Sequence, residues 1–214
     1  MKEQTYTDWA DYYAKPKSLI SVKTQKITLH YLVRHMKKYV VDDKLKIVEC
    51  GGGNSCFATD ITSMLNVEYY DIIDNCMLGI EKATNNHTIR NTWYADLTQE
   101  IDSRILEETY NFVYSVGLVE HFAKKERRKV IENHFKLCKK GGYVLITAPT
   151  PIFQYRILRK TMELLNKWQF WDEVPMESER LVKEIAPYGE IVSVGINRLL
   201  PLSQCVIIAR KNMP

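Results

Sequence analysis

Short apolar runs and longer stretches of helical spacing alternate along most of this chain, and that alternation predicts an α/β architecture. Residues 45–50, 67–73 and 87–94 read as strands, residues 110–122 as a fourth strand running into a loop, and the run after Gly141-Gly142 as a fifth. Between them, residues 56–65 carry Phe57, Ala58, Ile61, Met64 and Leu65 at helical spacing. Residues 124–138 are amphipathic as well. Val130, Ile131, His134, Leu137 and Cys138 share one side, and Lys124, Lys125, Arg127, Arg128 and Lys129 fall mostly elsewhere. Glu126 and Glu132 interrupt that basic run, so it reads as a solvated helix face and not as a nucleic-acid surface. Two final runs, 190–196 and 204–209, are joined by a connection too short for a crossover helix and should pair as antiparallel neighbours.

Two regions stand outside this alternation. At the start, Tyr6, Trp9, Tyr12 and Tyr13 crowd together, and Leu19, Val22, Leu29, Leu32, Val33, Met36 and Val40 give approximate helical periodicity over residues 18–41. After the fifth strand, Pro149-Thr150-Pro151 breaks the pattern, and a stretch with Phe153, Tyr155, Trp168, Phe170 and Trp171 follows. A length of 214 residues and a net charge of +4 suit one α/β domain without a nucleic-acid partner. Cys50, Cys56, Cys76, Cys138 and Cys205 form no C-x-x-C pair and sit mostly in apolar runs, the pattern of buried reduced thiols. No apolar stretch is long enough to cross a membrane, and residues 1–5 do not begin a signal peptide, so a cytoplasmic location without a membrane partner is expected.

The chemistry concentrates in Ile47-Val48-Glu49-Cys50-Gly51-Gly52-Gly53-Asn54-Ser55, a glycine-rich turn between a strand and a helix. Such a turn lets backbone amides approach a ligand, and the helix start presents unpaired N–H groups to it. The nicotinamide fingerprint G-x-G-x-x-G fails at its third place, which Cys56 occupies. Glu49 would meet the phosphates of a dinucleotide unfavourably, but it suits a ligand with an ammonium and a sulfonium, S-adenosylmethionine.

This Glu-x-Gly-x-Gly order after a strand resembles the first motif of the class I S-adenosylmethionine-dependent methyltransferases, small-molecule type. Later landmarks fit the same family in order: Asp74-Asn75 after the second strand, Ala95-Asp96-Leu97 after the third, and the segment from Tyr114-Ser115 to Glu120-His121 after the fourth. The resemblance implies a doubly wound, mostly parallel seven-stranded sheet with an antiparallel last strand, the Rossmann-like methyltransferase fold. It implies cofactor contacts from Glu49, Gly51, Gly53, Asp74, Asn75, Asp96, Leu97 and Ser115, with Asp74 on the ribose hydroxyls and Asp96 on the adenine amino group. Asp74 and Asp96 also have plainer readings, as a helix cap and a turn former. The expected organisation is a helical cap over residues 1–44, a cofactor-binding α/β core over 45–148, a helical, aromatic insertion over the active site at 149–188, and a strand pair completing the sheet at 189–214.

Glu120 and His121 are the catalytic candidates, because imidazole titrates near neutral pH and the pair falls at the carboxyl edge of the sheet, where ligands of open α/β folds bind. The histidine also reads as a structural hydrogen-bonder. No Asn/Asp-Pro-Pro-Tyr/Phe motif follows the fourth strand, which disfavours DNA-base and glutamine methylation, and no metal is expected. The acceptor is therefore expected to be a small molecule, with O-methylation of a sugar or secondary metabolite ahead of N- or C-methylation. A non-catalytic protein that binds the cofactor stays open, as does an oligomeric state.

Overall fold

The computed structural model describes residues 6–17, 19–39, 44–105, 107, 109–198 and 203–212. Its seven strands are β1 (Leu45–Cys50), β2 (Val67–Asp74), β3 (Asn91–Tyr94), β4 (Tyr110–Val116), β5 (Cys138–Pro149), β6 (Gly189–Asn197) and β7 (Gln204–Lys211). They form one sheet in the order β3-β2-β1-β4-β5-β7-β6. The first five run parallel, and β7 lies antiparallel between β5 and β6. This is the doubly wound sheet with an antiparallel last strand that the alternation and the resemblance imply.

Alternate strand residues face opposite sides of a sheet, so each side gathers its own core. Val48, Val113, Val144, Ile146 and Ile207 belong to one cluster with Val130, Ile131 and Phe135 of α5 (Lys124–Leu137) and Leu181 and Ile185 of α7 (Ser178–Ile185). Ile47, Ile72, Phe112, Leu145 and Ile208 belong to the other. That second cluster takes Leu29, Leu32, Val33 and Met36 from α2 (Leu19–Tyr39), Ala58 and Ile61 from α3 (Ala58–Met64), and Ile80 and Ala83 from α4 (Met77–Thr84). Two further helices, α1 (Trp9–Ala14) and α6 (Phe153–Leu164), bury little or nothing in either core. Ser18, Val40 and Val41, at the ends of the expected first long helix, lie outside the described residues, as do residues 1–5.

Two readings need correction. The third strand covers Asn91–Tyr94 and not residues 87–94, because Asn86 closes a turn there: its side-chain oxygen accepts from the Thr88 N–H at 3.1 Å, and the Ile89 N–H reaches its carbonyl at 3.0 Å. Arg127 does not belong to a solvated face. It is 2% exposed, and its guanidinium forks onto Glu184 of α7 at 2.7 and 3.0 Å while donating to the Phe122 carbonyl at 2.7 Å. That bidentate pair ties α5 to α7 beneath the loop that carries Glu120 and His121. All five cysteines are free, as their placement in apolar runs predicts. No helix among the described residues is long and apolar enough to cross a membrane.

Candidate active site

The carboxyl ends of β1, β2 and β4 open onto one cleft of about 560 Å³. Two groups of residues line it: Glu49, Gly51, Gly52, Asp74, Asn75 and Asp96, taken below as its first end, and Glu120, His121, Asp172 and Glu173, taken as its second. Parallel strands that diverge to either side of β1 leave this crevice by necessity. Aromatic residues from outside the sheet cover it: Trp9, Tyr12 and Tyr13 of α1, with Trp168 and Phe170 from the segment after α6. Their rings touch one another, with Trp9 edge-on to His121 at 5.0 Å between centroids and Tyr12 at 5.5 Å from Phe170.

The first end is built by local sequence. Gly51 has φ +68° and Gly53 φ +49°, a region where side chains are strained, so the turn after β1 requires glycine. Ser55 opens α3, its hydroxyl accepting from the Ala58 N–H at 3.1 Å and donating to Glu49 Oε2 at 2.7 Å. Tyr70 of β2 donates to the same oxygen at 2.6 Å, and the Tyr114 hydroxyl of β4 bonds that of Tyr70. Burial pushes the Glu49 carboxyl up to about 7, although the Tyr70 and Ser55 hydroxyls favour its ionised form. Asp74 accepts from the Gly53 and Cys76 N–H groups at 2.7 Å each, which fixes its carboxylate between the glycine turn and the start of α4. Burial raises its affinity for a proton against those bonds.

The second end joins distant segments. His121 Nδ1 lies 2.7 Å from Asp172 Oδ1, and Thr7 donates to the same oxygen. The pairing with a carboxylate assigns the proton to Nδ1 and leaves the lone pair on Nε2. Burial lowers the His121 pKa, and Asp172 opposes the shift. Glu173 accepts from the Tyr155 hydroxyl, and burial pushes its carboxyl up to about 7. Glu120 is 1% exposed, its Oε2 has no hydrogen-bond partner, and burial together with the neighbouring Glu173 holds its carboxyl well above the usual range.

Of the residues expected from sequence, Glu49, Gly51, Asp74, Asn75, Asp96, Leu97, Glu120 and His121 all line the cleft. Ser115 does not: it is fully buried inside β4, and Val116, Gly117 and Leu118 form the wall there instead. β4 is covered on both faces and opens to the cleft only at its carboxyl end, one residue beyond Ser115. Gly53 lies beneath Tyr13, where an added Cβ would stand 2.0 Å from the phenol, so it shapes the turn without facing the cleft. Sequence reasoning missed Ser55, Tyr70, Tyr114, Asp172 and Glu173. Tyrosines in otherwise aliphatic buried strands were a usable signal for two of them. Nothing in the spacing could pair Asp172 with His121.

The family model described as "Tellurite resistance protein TehB" matches residues 12–173. No curated protein matches the chain. Among solved structures, magnesium protoporphyrin IX methyltransferase (ChlM) from Synechocystis PCC 6803 with bound SAH superposes with a TM-score of 0.71 at 14% identity, over 95% of this chain and 93% of its own. N-methyltransferase NodS from Bradyrhizobium japonicum WM9, in complex with S-adenosyl-l-homocysteine, gives 0.64 at 13% identity over 88% and 87%. A SAM-dependent methyltransferase from Methanosarcina mazei gives 0.63 at 16% identity over 84% and 98%. These identities establish a shared fold.

Proposed function

This chain belongs to the TehB family and has the class I S-adenosylmethionine-dependent methyltransferase fold, and on that premise we propose that it methylates a hydroxyl oxygen of a small molecule, such as a sugar or secondary metabolite. The observation that carries the reading is the single cleft whose two ends hold complementary chemistry, cofactor-type acids at one and a carboxylate-oriented imidazole at the other. S-adenosylmethionine, when bound, supplies an electrophilic methyl group.

The residues at the first end fit that group. Burial, and then the neighbouring Asp74, disfavour the charge of Glu49, so a cationic ligand in the cleft would supply the compensation it lacks. Asp74 holds its oxygens at the strand end where ribose hydroxyls are bound in α/β folds, and Asn75 follows it along the same wall. Asp96 is exposed at the rim with Leu97 buried beside it, a polar edge and an apolar floor for a base.

At the second end, His121 accepts the acceptor hydroxyl's proton on Nε2 while Asp172 holds the ring and stabilises the imidazolium that forms. Its lowered pKa keeps the imidazole neutral and competent near pH 7. Trp9, Tyr12 and Phe170 exclude water and give a planar or carbohydrate acceptor a surface to stack on. Residues 167–173 act as the part of the insertion that shapes this end.

The test is a panel of hydroxylated small molecules incubated with S-adenosylmethionine, with formation of S-adenosylhomocysteine as the readout. Turnover with at least one hydroxylated acceptor is expected, with kcat for His121→Gln reduced about 10²-fold or more and cofactor affinity unchanged. Methylation confined to amines or carbon acids would replace the O-methyl reading with an N- or C-methyl one.

A further inference from the structure

The second end of the cleft holds more acid than proton transfer to one imidazole requires. Glu120, His121 and Glu173 each offer a ligand atom, and these atoms lie within 4.8 Å of one another. We propose that Glu120, His121 and Glu173 form a binding site for one divalent transition-metal ion. The proposal deepens the reading of this end as the acceptor site and rests on it only for the ion's place beside the acceptor.

Three observations carry it. First, Glu120 Oε2 is buried and no protein group bonds it, and an unpaired buried carboxyl oxygen is costly unless a ligand completes it. Secondly, the outer contacts are those of a metal centre. His121 is held through Nδ1 by Asp172, which leaves Nε2 for an ion, and Asp172 is itself bonded by Thr7. Metal-bound histidines are commonly oriented by such a carboxylate. Glu173 is likewise fixed by the Tyr155 hydroxyl.

Thirdly, the ionisable side chains around the centre are mostly acids. Glu120, Glu173 and Asp172 line this part of the cleft, and Arg159, whose Nη1 is 3.9 Å from Glu173, donates to the Glu173 carbonyl at 2.9 Å and to the Tyr155 hydroxyl at 3.2 Å. Arg127, which also acts on Glu120, is forked onto Glu184. Two carboxylates and one imidazole suit Mn²⁺ or Zn²⁺ better than a thiolate-seeking ion, and they leave positions for an acceptor oxygen. A bound ion would take up the Nε2 lone pair and acidify a coordinated hydroxyl itself. His121 would then act as a ligand in place of a general base, while the hydroxyl acceptor of the proposed function stands.

The experiment uses the full chain stripped with a chelator, titrated with MnCl2 and with ZnCl2 in the absence of S-adenosylmethionine by calorimetry, with Mn²⁺ electron paramagnetic resonance as a second readout. The expected result is one ion per chain. Affinity should fall at least about 100-fold in Glu120→Gln and Glu173→Gln and about 10- to 100-fold in Asp172→Asn, and stay unchanged in the control Glu68→Gln. Melting curves recorded without metal show whether each variant is folded, and Glu173→Gln decides the matter if Glu120→Gln is not. Absence of binding up to roughly 1 mM ion, or binding that survives both substitutions, overturns the site. Because no cofactor is present, this result is independent of whether the protein transfers methyl groups.

Discussion

The two ends of the cleft present buried acids in opposite states. At the first end, Glu49 receives hydroxyls from Ser55 and Tyr70 on one oxygen, Tyr114 of β4 bonds Tyr70 behind them, and all of these lie on the three central strands or the turn between β1 and α3. At the acceptor end, Glu120 has an oxygen with no partner, and its neighbours arrive from the chain start, the loop after β4 and the segment before α7. At the first end the hydrogen bonds are made within the protein, and what Glu49 lacks is a counter-charge. The second leaves one carboxyl oxygen without a protein partner, so a ligand would supply charge at the first end and a bond at the second.

The largest effect that bears on this comparison is expected at the cofactor turn. Gly51→Val places a branched side chain at φ +68°, with its Cβ 2.7 Å from Leu118 Cδ1, and S-adenosylmethionine affinity should fall by about 100-fold or more in calorimetry. An unchanged affinity would break the assignment of that end. Next in size, Asp172→Asn frees the His121 ring, and kcat should drop about 10²-fold with cofactor affinity unaltered, measured under saturating cofactor. A matching loss of affinity would show that the two ends are not separable.

Protonation sharpens the contrast further. The folded-state pKa of Glu49 is raised to about 7, so the carboxyl is protonated below that pH and ionised above it. Affinity for a cationic cofactor should therefore rise about tenfold from pH 6 to pH 8, and Glu49→Gln should flatten the profile. The ligand-free protein should respond with the opposite sign. A carboxyl whose folded pKa is raised above its unfolded value of 4.5 contributes stability that is fully present below 4.5 and is lost as pH climbs to about 7. Glu173, raised to about 7 by burial, adds to the same slope. The smallest effect is expected from Glu120→Gln without metal: removing an unpartnered buried carboxylate should raise the melting temperature by about 2–4 °C. A lower melting temperature would mean that Glu120 is already satisfied.

The same division governs what the sequence makes legible. The fold and most of the cofactor end follow from local rules: apolar runs mark β1, β2 and β4, the glycine cluster marks the turn, and strand ends mark Asp74 and Asp96. Ser115 departs from this because β4 is buried along both faces up to its last residue, so a position one short of the strand end stays inside. The acceptor end resists reading because its contacts span 165 positions from Thr7 to Asp172 and 51 from His121 to Asp172, distances at which no periodicity survives. Arg127 escaped for a related reason. A basic residue amid a basic run looks solvated until α7 brings Glu184 to it.

The central claim is that the glycine turn and Asp74 form an S-adenosylmethionine site, and calorimetric titration of the purified chain and of Asp74→Ala tests it most directly. The expected result is one micromolar site per chain for S-adenosylmethionine or S-adenosylhomocysteine, weakened at least about 10-fold in Asp74→Ala, with no heat from NAD. Tight binding of NAD, or binding of none of the three, would contradict the claim and reduce residues 49–53 to an ordinary turn.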